Sequence, residues 1–251
     1  MARYGRVMTS HGPRFVEVGA DSLALLDGAP WEGGRPTAER LPLNTPLLVP
    51  SPASKVVAIG QNYRKHAEEM GKPVPKEPLI FMKPSTALNA HLAPIVLPPA
   101  SEEVHHEAEL GLVIGHRLSR AGEADAAAAI FGLTCFNDVT ARDIQKREIQ
   151  HTRAKSYDTF ACCGPHVVTG VAWSDLRVVC RVNGQVRQDG RTSDMVFGPA
   201  ALVSFISHVM TLLPGDVIST GTPSGVGRLL DGDVVQVEIE NVGVLENPVK
   251  R

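Results

Sequence analysis

Residues 104–114 read VHHEAELGLVI, a stretch that predicts a buried strand carrying two carboxylates. Successive side chains of an extended strand point to opposite faces, so alternate residues share a face. Most of the apolar side chains then lie on one face, and His105, Glu107 and Glu109 share the other. At about 3.3 Å per residue, the two glutamates are roughly 6 to 7 Å apart along the strand, and their long side chains can close that gap onto one cation.

A third carboxylate, Asp138, stands at the end of another apolar run, 130–136. Three carboxylates from separate elements repel one another unless protons or a cation neutralise them. An all-oxygen set of ligands selects a hard ion such as Mg²⁺, Mn²⁺ or Ca²⁺. Spacing alone leaves two alternatives open: a half-exposed strand with solvated glutamates, and a zinc site using His105 or His106, which neither H-E-x-x-H nor Cys-His spacing supports.

Upstream, residues 62–70 form a helical pattern, with Asn62 as the N-cap and Gly71 as the stop. His66 and Glu69 are three residues apart, so they share one face of this helix. A carboxylate that orients an imidazole and raises its basicity creates a general base able to activate water. From spacing alone, an exposed polar helix turn is the alternative.

Two lysines and a glycine-rich loop could also contact an anion. Lys155 could hold a developing enolate or carboxylate, and Lys83 follows an apolar strand end, where ligand-facing groups often lie. Residues 221–227 read GTPSGVG, which is neither a P-loop nor a dinucleotide fingerprint. The loop could still present backbone N–H groups and Thr222 to an anion.

Composition excludes some classes of protein. The 251 residues carry a formal net charge of −2, so there is no basic excess to bind nucleic acid. Four cysteines without C-x-x-C spacing indicate free thiols in a reducing compartment. The apolar stretch 195–213 is interrupted by proline and polar residues, which favours a buried helix over a membrane span. With no secretory signal at the start, we expect a soluble, cytoplasmic protein with neither nucleic-acid nor membrane partners.

The chain divides into two predicted units. Residues 1–52 form a small N-terminal β domain and a proline-rich linker, and residues 53–251 form the main domain. Most elements of the main domain read as strands bounded by Gly and Pro, with helical patterns at 62–70, 123–131, 140–150 and 199–212. This is not regular strand-helix alternation, so we expect a β-rich α+β fold, a mixed β core with a few covering helices.

Six stretches, taken together and in order, resemble the fumarylacetoacetate hydrolase family. They span about 55 to 245, and they are 60–63 (GQNY) with His66, Glu69 and Met70, 81–84 (FMKP), 106–110 (HEAEL), 137–143 (NDVTARD), 155–159 (KSYDT) and 221–227 (GTPSGVG). The resemblance implies a mixed β-roll core of this family's type, preceded by the small β domain of many bacterial members. It also implies a homodimer.

The resemblance further implies how the site is built. Mg²⁺ or Mn²⁺, with Ca²⁺ as a possible substitute in crystals, would be held by Glu107, Glu109 and Asp138. His66 and Glu69 would lie on a lid that orders when substrate binds. The resemblance assigns catalysis to His66, Glu69 and Lys155, and it assigns substrate binding to Arg142, Gln145, Thr222 and Lys83.

The expected substrate is a small 2-oxo acid, whose keto and carboxylate oxygens chelate one metal ion. Our first expectation is hydrolysis of a carbon-carbon bond in an acylpyruvate or other 2,4-diketo acid through a metal-stabilised enolate, because His66 and Glu69 suit water activation. The alternatives are an oxaloacetate-type decarboxylase and a 2-hydroxyhepta-2,4-diene-1,7-dioate isomerase in aromatic-acid catabolism. A non-catalytic metal-binding protein is the alternative of a different class, and it would need neither His66 nor Glu69.

Overall fold

The computed structural model describes residues 1–69, 71 and 73–251. Within these residues the chain forms twenty strands, five α-helices and three short 3-10 helices. The prediction of a β-rich α+β fold with few helices is therefore confirmed.

The first fifty residues form an antiparallel meander with a small apolar core of its own around Val7, Val16 and Leu23. Its strands are β1 (Arg3–Thr9), β2 (Gly12–Val18), β3 (Leu23–Leu26), β4 (Pro36–Leu41) and β5 (Leu47–Leu48). The meander is not separate from the rest of the sheet, because Arg3 and Tyr4 pair with Val168 and Val167 of a later strand. A domain boundary at residue 52 stays a prediction.

Fifteen further strands build the main unit. They are β6 (Val56–Gly60), β7 (Leu79–Lys83), β8 (Leu88–Asn89), β9 (Ile95–Val96), β10 (Val104–His106), β11 (Ala108–Ile114), β12 (Ile130–Asp138), β13 (Thr140–Ala141), β14 (Ala161–Val168), β15 (Arg177–Val182), β16 (Gln185–Arg191), β17 (Val217–Ser219), β18 (Gly227–Arg228), β19 (Val234–Ile239) and β20 (Gly243–Lys250). The turn between β15 and β16 is an Asn183-Gly184 hairpin, in which both residues have positive φ.

Three sheets organise these strands. A twelve-stranded sheet runs β4-β3-β2-β1-β14-β12-β11-β17-β6-β7, with β5 and β8 beside it. A five-stranded sheet runs β16-β15-β19-β20-β9, and a three-stranded sheet runs β13-β10-β18. Strands β11, β12 and β14 of the large sheet pack against β15, β19 and β20 of the second, and the main apolar core lies between the two sheets.

The helices cover this core. They are α1 (Arg64–Glu69), α2 (Glu123–Ala129), α3 (Arg142–Arg147), α4 (Thr152–Lys155) and α5 (Pro199–Val209). Helices α2, α3 and α5 are shorter than their sequence patterns predict, and α4 was not predicted. Helix α2, for example, ends at Ala129 because Ile130 already pairs with Ile114 in the large sheet. Met70, part of the predicted first helix, lies outside the described residues. Among the described helices, none is both long and apolar enough to span a bilayer.

The stretch 104–114 is two strands rather than one. Residues 104–106 pair with β13 and β18 in the three-stranded sheet, whereas Ala108 onward pairs with β12 and β17 in the large sheet. Glu107 is the residue at which the chain passes from one sheet to the other. The first predicted carboxylate therefore stands at a junction between sheets.

Close packing between β11 and β12 gives a test of the fold. A Cβ added to Gly111 would lie 2.7 Å from the Thr134 methyl group. We expect Gly111→Ala to lower the free energy of unfolding by about 1–3 kcal/mol, because the two central strands must move apart. Gly28→Ala is the control, since its Cβ would meet nothing closer than 3.8 Å. Denaturant titration measures both, and equal stability of the two variants would contradict this packing.

Candidate functional site

Strands β11 and β12 bring the three predicted carboxylates together. They pair antiparallel, with Ala108 opposite Asn137 and Glu109 opposite Phe136. One carboxylate oxygen from each of Glu107, Glu109 and Asp138 lies within 4.8 Å of the others. The three residues are 5%, 1% and 0% exposed. The alternative of a half-exposed strand with solvated glutamates is therefore excluded.

Positive side chains surround two of the three carboxylates. Lys155 Nζ lies 2.8 Å from Glu107 Oε2 and 2.6 Å from Asp138 Oδ2. Arg142 pairs with the other oxygen of Glu107, and Lys83 pairs with the other oxygen of Asp138. Burial alone would raise the pKa of Glu107, but Lys155 and Arg142 outweigh burial and hold that pKa below its usual range.

Glu109 is the exception. Among the described residues it forms no ion pair; its Oε2 accepts hydrogen bonds from the Ser219 hydroxyl and, at 2.7 Å, from the Gly221 N–H. Burial, and then the charges of Asp138 and Glu107, raise the pKa of Glu109 well above its ordinary value. The negative charge of this cluster is therefore least compensated at Glu109.

The donor set fits a hard divalent cation. The three ligand atoms are all carboxylate oxygens, and a cation between them would relieve the repulsion that raises the pKa of Glu109. The zinc alternative does not gain support: His105 pairs with Glu103, and His106 Nδ1 lies 3.1 Å from Gln188. Neither histidine belongs to the cluster found among the described residues.

A small cavity of about 40 Å³ opens beside the carboxylates. It is lined by Ile59, Gly60, Gln61, His66, Phe81, Glu107, Glu109, Arg142, Gln145, His151, Lys155 and Thr222. At about 10–15 Å³ for each water, the cavity holds roughly three water molecules or a compact ligand. Ten of the twelve lining residues carry polar or aromatic side chains, so the cavity suits a small polar molecule.

The histidine and glutamate of the first helix also meet at this cavity. His66 Nδ1 lies 3.1 Å from Glu69 Oε2, and the His66 side chain is buried against the cavity. Glu69 further accepts the Gly225 N–H, at 3.0 and 3.2 Å from its two oxygens. The helix α1 is thus fastened to the loop 221–227, while a lid motion of this helix stays a prediction.

The remaining predicted residues are placed differently from one another. Arg142 and Gln145 line the cavity and bond to each other. Thr222 also lines it, but its hydroxyl already donates to the Ala108 carbonyl and accepts from Gln188. Lys83 is 0% exposed and lies outside the lining, where it bonds to Asp138 and to the Val139 carbonyl. Lys83 is therefore placed to hold a carboxylate rather than to contact substrate.

Several residues of the site were given no individual role in the sequence analysis. Ser219 and the Gly221 N–H position Glu109, and the ring of Phe81 lies 4.9 Å from Lys155 Nζ. His151 joins the cavity from the segment before α4 and packs edge-on against Phe81. The glycine loop was expected to offer N–H groups to an anion; it offers them to Glu109 and Glu69 of the protein itself.

Comparisons with known proteins identify the family. Residues 55–250 match the family model for the fumarylacetoacetate (FAA) hydrolase C-terminal region, and residues 2–48 match the Rv2993c-like N-terminal model. Protein Rv2993c of Mycobacterium tuberculosis is 43% identical over 99% of the chain and 98% of its own length. The human mitochondrial oxaloacetate tautomerase FAHD2A is 44% identical over 78% of the chain and 66% of its own length.

Solved structures of similar proteins superpose closely on this chain. The crystal structure of 2-hydroxyhepta-2,4-diene-1,7-dioate isomerase from Mycobacterium marinum superposes with a TM-score of 0.93, at 42% identity, covering 100% of this chain and 99% of that chain. Fumarylacetoacetate hydrolase from Exiguobacterium antarcticum superposes with a TM-score of 0.86, at 32% identity, with the same coverage.

The raised pKa of Glu109 predicts how the stability of the metal-free protein depends on pH. A carboxylic acid whose pKa is higher in the folded state favours folding at low pH, and this contribution is lost as pH rises through the folded pKa. Glu109→Gln has no such proton to lose. We therefore expect the mutant to gain stability relative to wild type as pH rises above about 4.5, the ordinary glutamate pKa.

Thermal unfolding in a chelating buffer, from pH 5 to pH 8, measures this difference. Glu123→Gln, which changes an exposed glutamate in α2, is the control. A constant difference between Glu109→Gln and wild type across the range would show that Glu109 is ionised in a compensated environment.

Proposed function

The chain belongs to the fumarylacetoacetate hydrolase family of enzymes, and we propose that it transfers a proton between the keto and enol forms of a small 2-oxo dicarboxylic acid such as oxaloacetate. The observation that carries the proposal is the pairing of a buried carboxylate cluster with a His66–Glu69 dyad across one cavity of about 40 Å³. Two relatives above 40% identity are named as a tautomerase and an isomerase, and both reactions rearrange a substrate without adding atoms.

The proposed cofactor is Mg²⁺ or Mn²⁺. Glu107, Glu109 and Asp138 would hold it, as their buried oxygen ligands fit a hard cation. When bound, it supplies Lewis-acid stabilisation of the enolate form of a 2-oxo acid. Side chains of the protein would bind the substrate, stabilise its charge and transfer the proton.

Lys155 is proposed as a fixed positive charge rather than as a base. Burial lowers its pKa, but Asp138 and Glu107 outweigh burial and raise it above the ordinary lysine value. The ammonium group therefore stays protonated at neutral pH, at the cavity wall between two carboxylates. In this position it can stabilise negative charge that develops on a substrate oxygen.

His66 is proposed to move the proton. Its Nδ1 faces the Glu69 carboxylate, so Nε2 is the ring nitrogen left to exchange a proton in the cavity. Glu69 orients the ring through this contact and leaves Nε2 directed to the substrate side. A proton removed from the carbon next to the keto group would pass to Nε2, and the same ring would then deliver it to the keto oxygen to give the enol, with no net change in protons.

Arg142 and Gln145 are proposed to bind the far carboxylate of the substrate. Both line the cavity, and Arg142 is fixed by Glu107 and Gln145. A guanidinium group suits a planar carboxylate.

Hydrolysis of a carbon-carbon bond in an acylpyruvate is the second candidate. It is favoured by the His66–Glu69 pair, which could equally activate a water molecule. One structural neighbour, from Exiguobacterium antarcticum, is likewise named as a hydrolase. Decarboxylation of oxaloacetate would need the enolate-stabilising groups without water activation.

We also propose that the enzyme is a cytoplasmic homodimer. Strand β7 ends the twelve-stranded sheet and exposes 44% of Leu79 and 42% of Met82. An open edge strand with apolar side chains favours association with a second copy. Light scattering of the purified protein would give the mass, and a monomeric mass would contradict this.

The substrate proposal predicts catalysed loss of the enol form. We expect the protein loaded with Mg²⁺ or Mn²⁺ to accelerate the decay of enol-oxaloacetate, followed by ultraviolet absorbance, and to lose this activity in excess chelator. Acetylpyruvate cleavage and pyruvate release from oxaloacetate are measured alongside. Cleavage of acetylpyruvate without tautomerisation would favour the second candidate, and inactivity on all three would refute the proposal that a 2-oxo acid is the substrate.

Variants of the two cavity residues test their separate roles. Lys155→Met should lower kcat by about 100-fold or more, because a preorganised charge is lost. His66→Ala should lower tautomerisation by about 100-fold or more and abolish any acylpyruvate hydrolysis, because proton transfer and water activation both depend on the ring. His116→Ala, at an exposed histidine after β11, is the control. Full activity of His66→Ala would remove His66 from the mechanism.

A further inference from the structure

Gln188 is a buried polar residue that belongs to neither the cavity lining nor the carboxylate cluster. It is 1% exposed and lies on β16, the edge strand of the five-stranded sheet. Its side-chain amide makes four hydrogen bonds, two to residues of β10 and β11 and two to the loop 221–227. An amide can make four such bonds, so every donor and acceptor of this group is used.

The oxygen of the amide holds the strand that carries the carboxylates. Gln188 Oε1 accepts the Ala108 N–H at 3.0 Å and faces His106 Nδ1 at 3.1 Å. Ala108 stands between Glu107 and Glu109, where the chain passes from the three-stranded sheet to the large sheet. Gln188 therefore fixes the backbone at the junction from which both glutamates project.

The nitrogen of the same amide holds the glycine loop. Gln188 Nε2 donates to Thr222 Oγ1 at 2.7 Å and to the Pro223 carbonyl at 2.8 Å. Thr222 Oγ1 in turn donates to the Ala108 carbonyl at 2.8 Å, which closes a ring of hydrogen bonds. On either side of this point, the Gly221 N–H bonds to Glu109 and the Gly225 N–H bonds to Glu69.

Two glycines allow the loop to come this close to β16. A Cβ on Gly225 would lie 2.2 Å from the Arg187 carbonyl oxygen, and a Cβ on Gly190 would lie 2.6 Å from the Pro223 ring. Gly225 also has a φ of +98°, which few other residues adopt. The close approach brings Thr222 and Pro223 within reach of the amide.

We propose that Gln188 is a positioning residue. It fixes both the directions in which the Glu107 and Glu109 side chains project and the position of the loop 221–227 beside β11. The inference rests on the proposed function, since it concerns how the same site holds its cation and its dyad. Through Ala108 the amide acts on the carboxylates, and through the loop it acts on Glu69 and so on His66. One side chain thereby aligns the cation-binding side of the cavity with the proton-transfer side.

The test removes the amide while keeping its volume. Gln188→Met loses all four hydrogen bonds, and we expect it to bind Mn²⁺ about 10- to 100-fold more weakly by calorimetric titration, as is typical when the support of a metal ligand is lost. We also expect lower kcat at saturating Mn²⁺. Gln185→Met changes an exposed glutamine on the same strand and should match wild type.

A second variant separates the two halves of the amide. Gln188→Glu keeps an acceptor for the Ala108 N–H but places a carboxylate oxygen against the Pro223 carbonyl, so the loop should be released while β11 stays held. We expect it to bind Mn²⁺ more tightly than Gln188→Met and to keep a kcat well below wild type. This variant also carries the test if Gln188→Met does not fold.

The outcomes are distinct. Wild-type Mn²⁺ affinity, kcat and KM in folded Gln188→Met, with only a lower melting temperature, would show a structural role and overturn the inference. If Gln188→Met does not fold, unchanged kcat and KM in Gln188→Glu would overturn it. Wild-type protein that binds no Mn²⁺ and turns over no 2-oxo acid would overturn the proposed function and this inference with it, whereas a functional wild type with unaffected variants overturns the inference alone.

Discussion

Repulsion among three buried carboxylates is the constraint on which this site depends. Glu107, Glu109 and Asp138 lie within a few ångströms of one another in the interior, where charge is weakly screened. Lys155, Arg142 and Lys83 neutralise Glu107 and Asp138, while Glu109 relies on a hydroxyl and a backbone N–H. The paired carboxylates can therefore be buried in the folded protein, whereas Glu109 has no positive partner among the described residues. This lack of a positive partner at Glu109 supports the proposal that the cluster holds a cation.

The fold meets this constraint by bringing sheets together at one point. The chain leaves the three-stranded sheet at Glu107 and enters the large sheet at Ala108, beside the end of β12 that carries Asp138. The edge of the five-stranded sheet reaches the same point through Gln188, and the loop 221–227 closes over it. Sites built on strands hold their side chains more precisely than sites built on loops alone.

Sequence reasoning went furthest where local pattern and chemistry coincide. The alternation around Glu107 and Glu109, the apolar run before Asp138 and the spacing of His66 and Glu69 placed these side chains on strands and a helix, and the resemblance brought them into one site. The break at Glu107 was missed, because alternation continues through a residue whose hydrogen-bond partners change. The assignments of Lys83 and Thr222 to substrate stay predictions, and a sequence does not show that the fold already uses their ammonium and hydroxyl groups. Gln188 had no motif at all, since its role arises only from the approach of two sheets.

The pairing of β1 with β14 has a consequence for the integrity of the whole molecule. Strand β14 forms the flank of the carboxylate-bearing β12, and its outer residues Val167 and Val168 are covered by the first residues of the chain. Without that cover, part of a central strand would become an open, apolar edge able to recruit other chains. We therefore expect loss of the N-terminal meander to expose this edge and to promote aggregation of the protein.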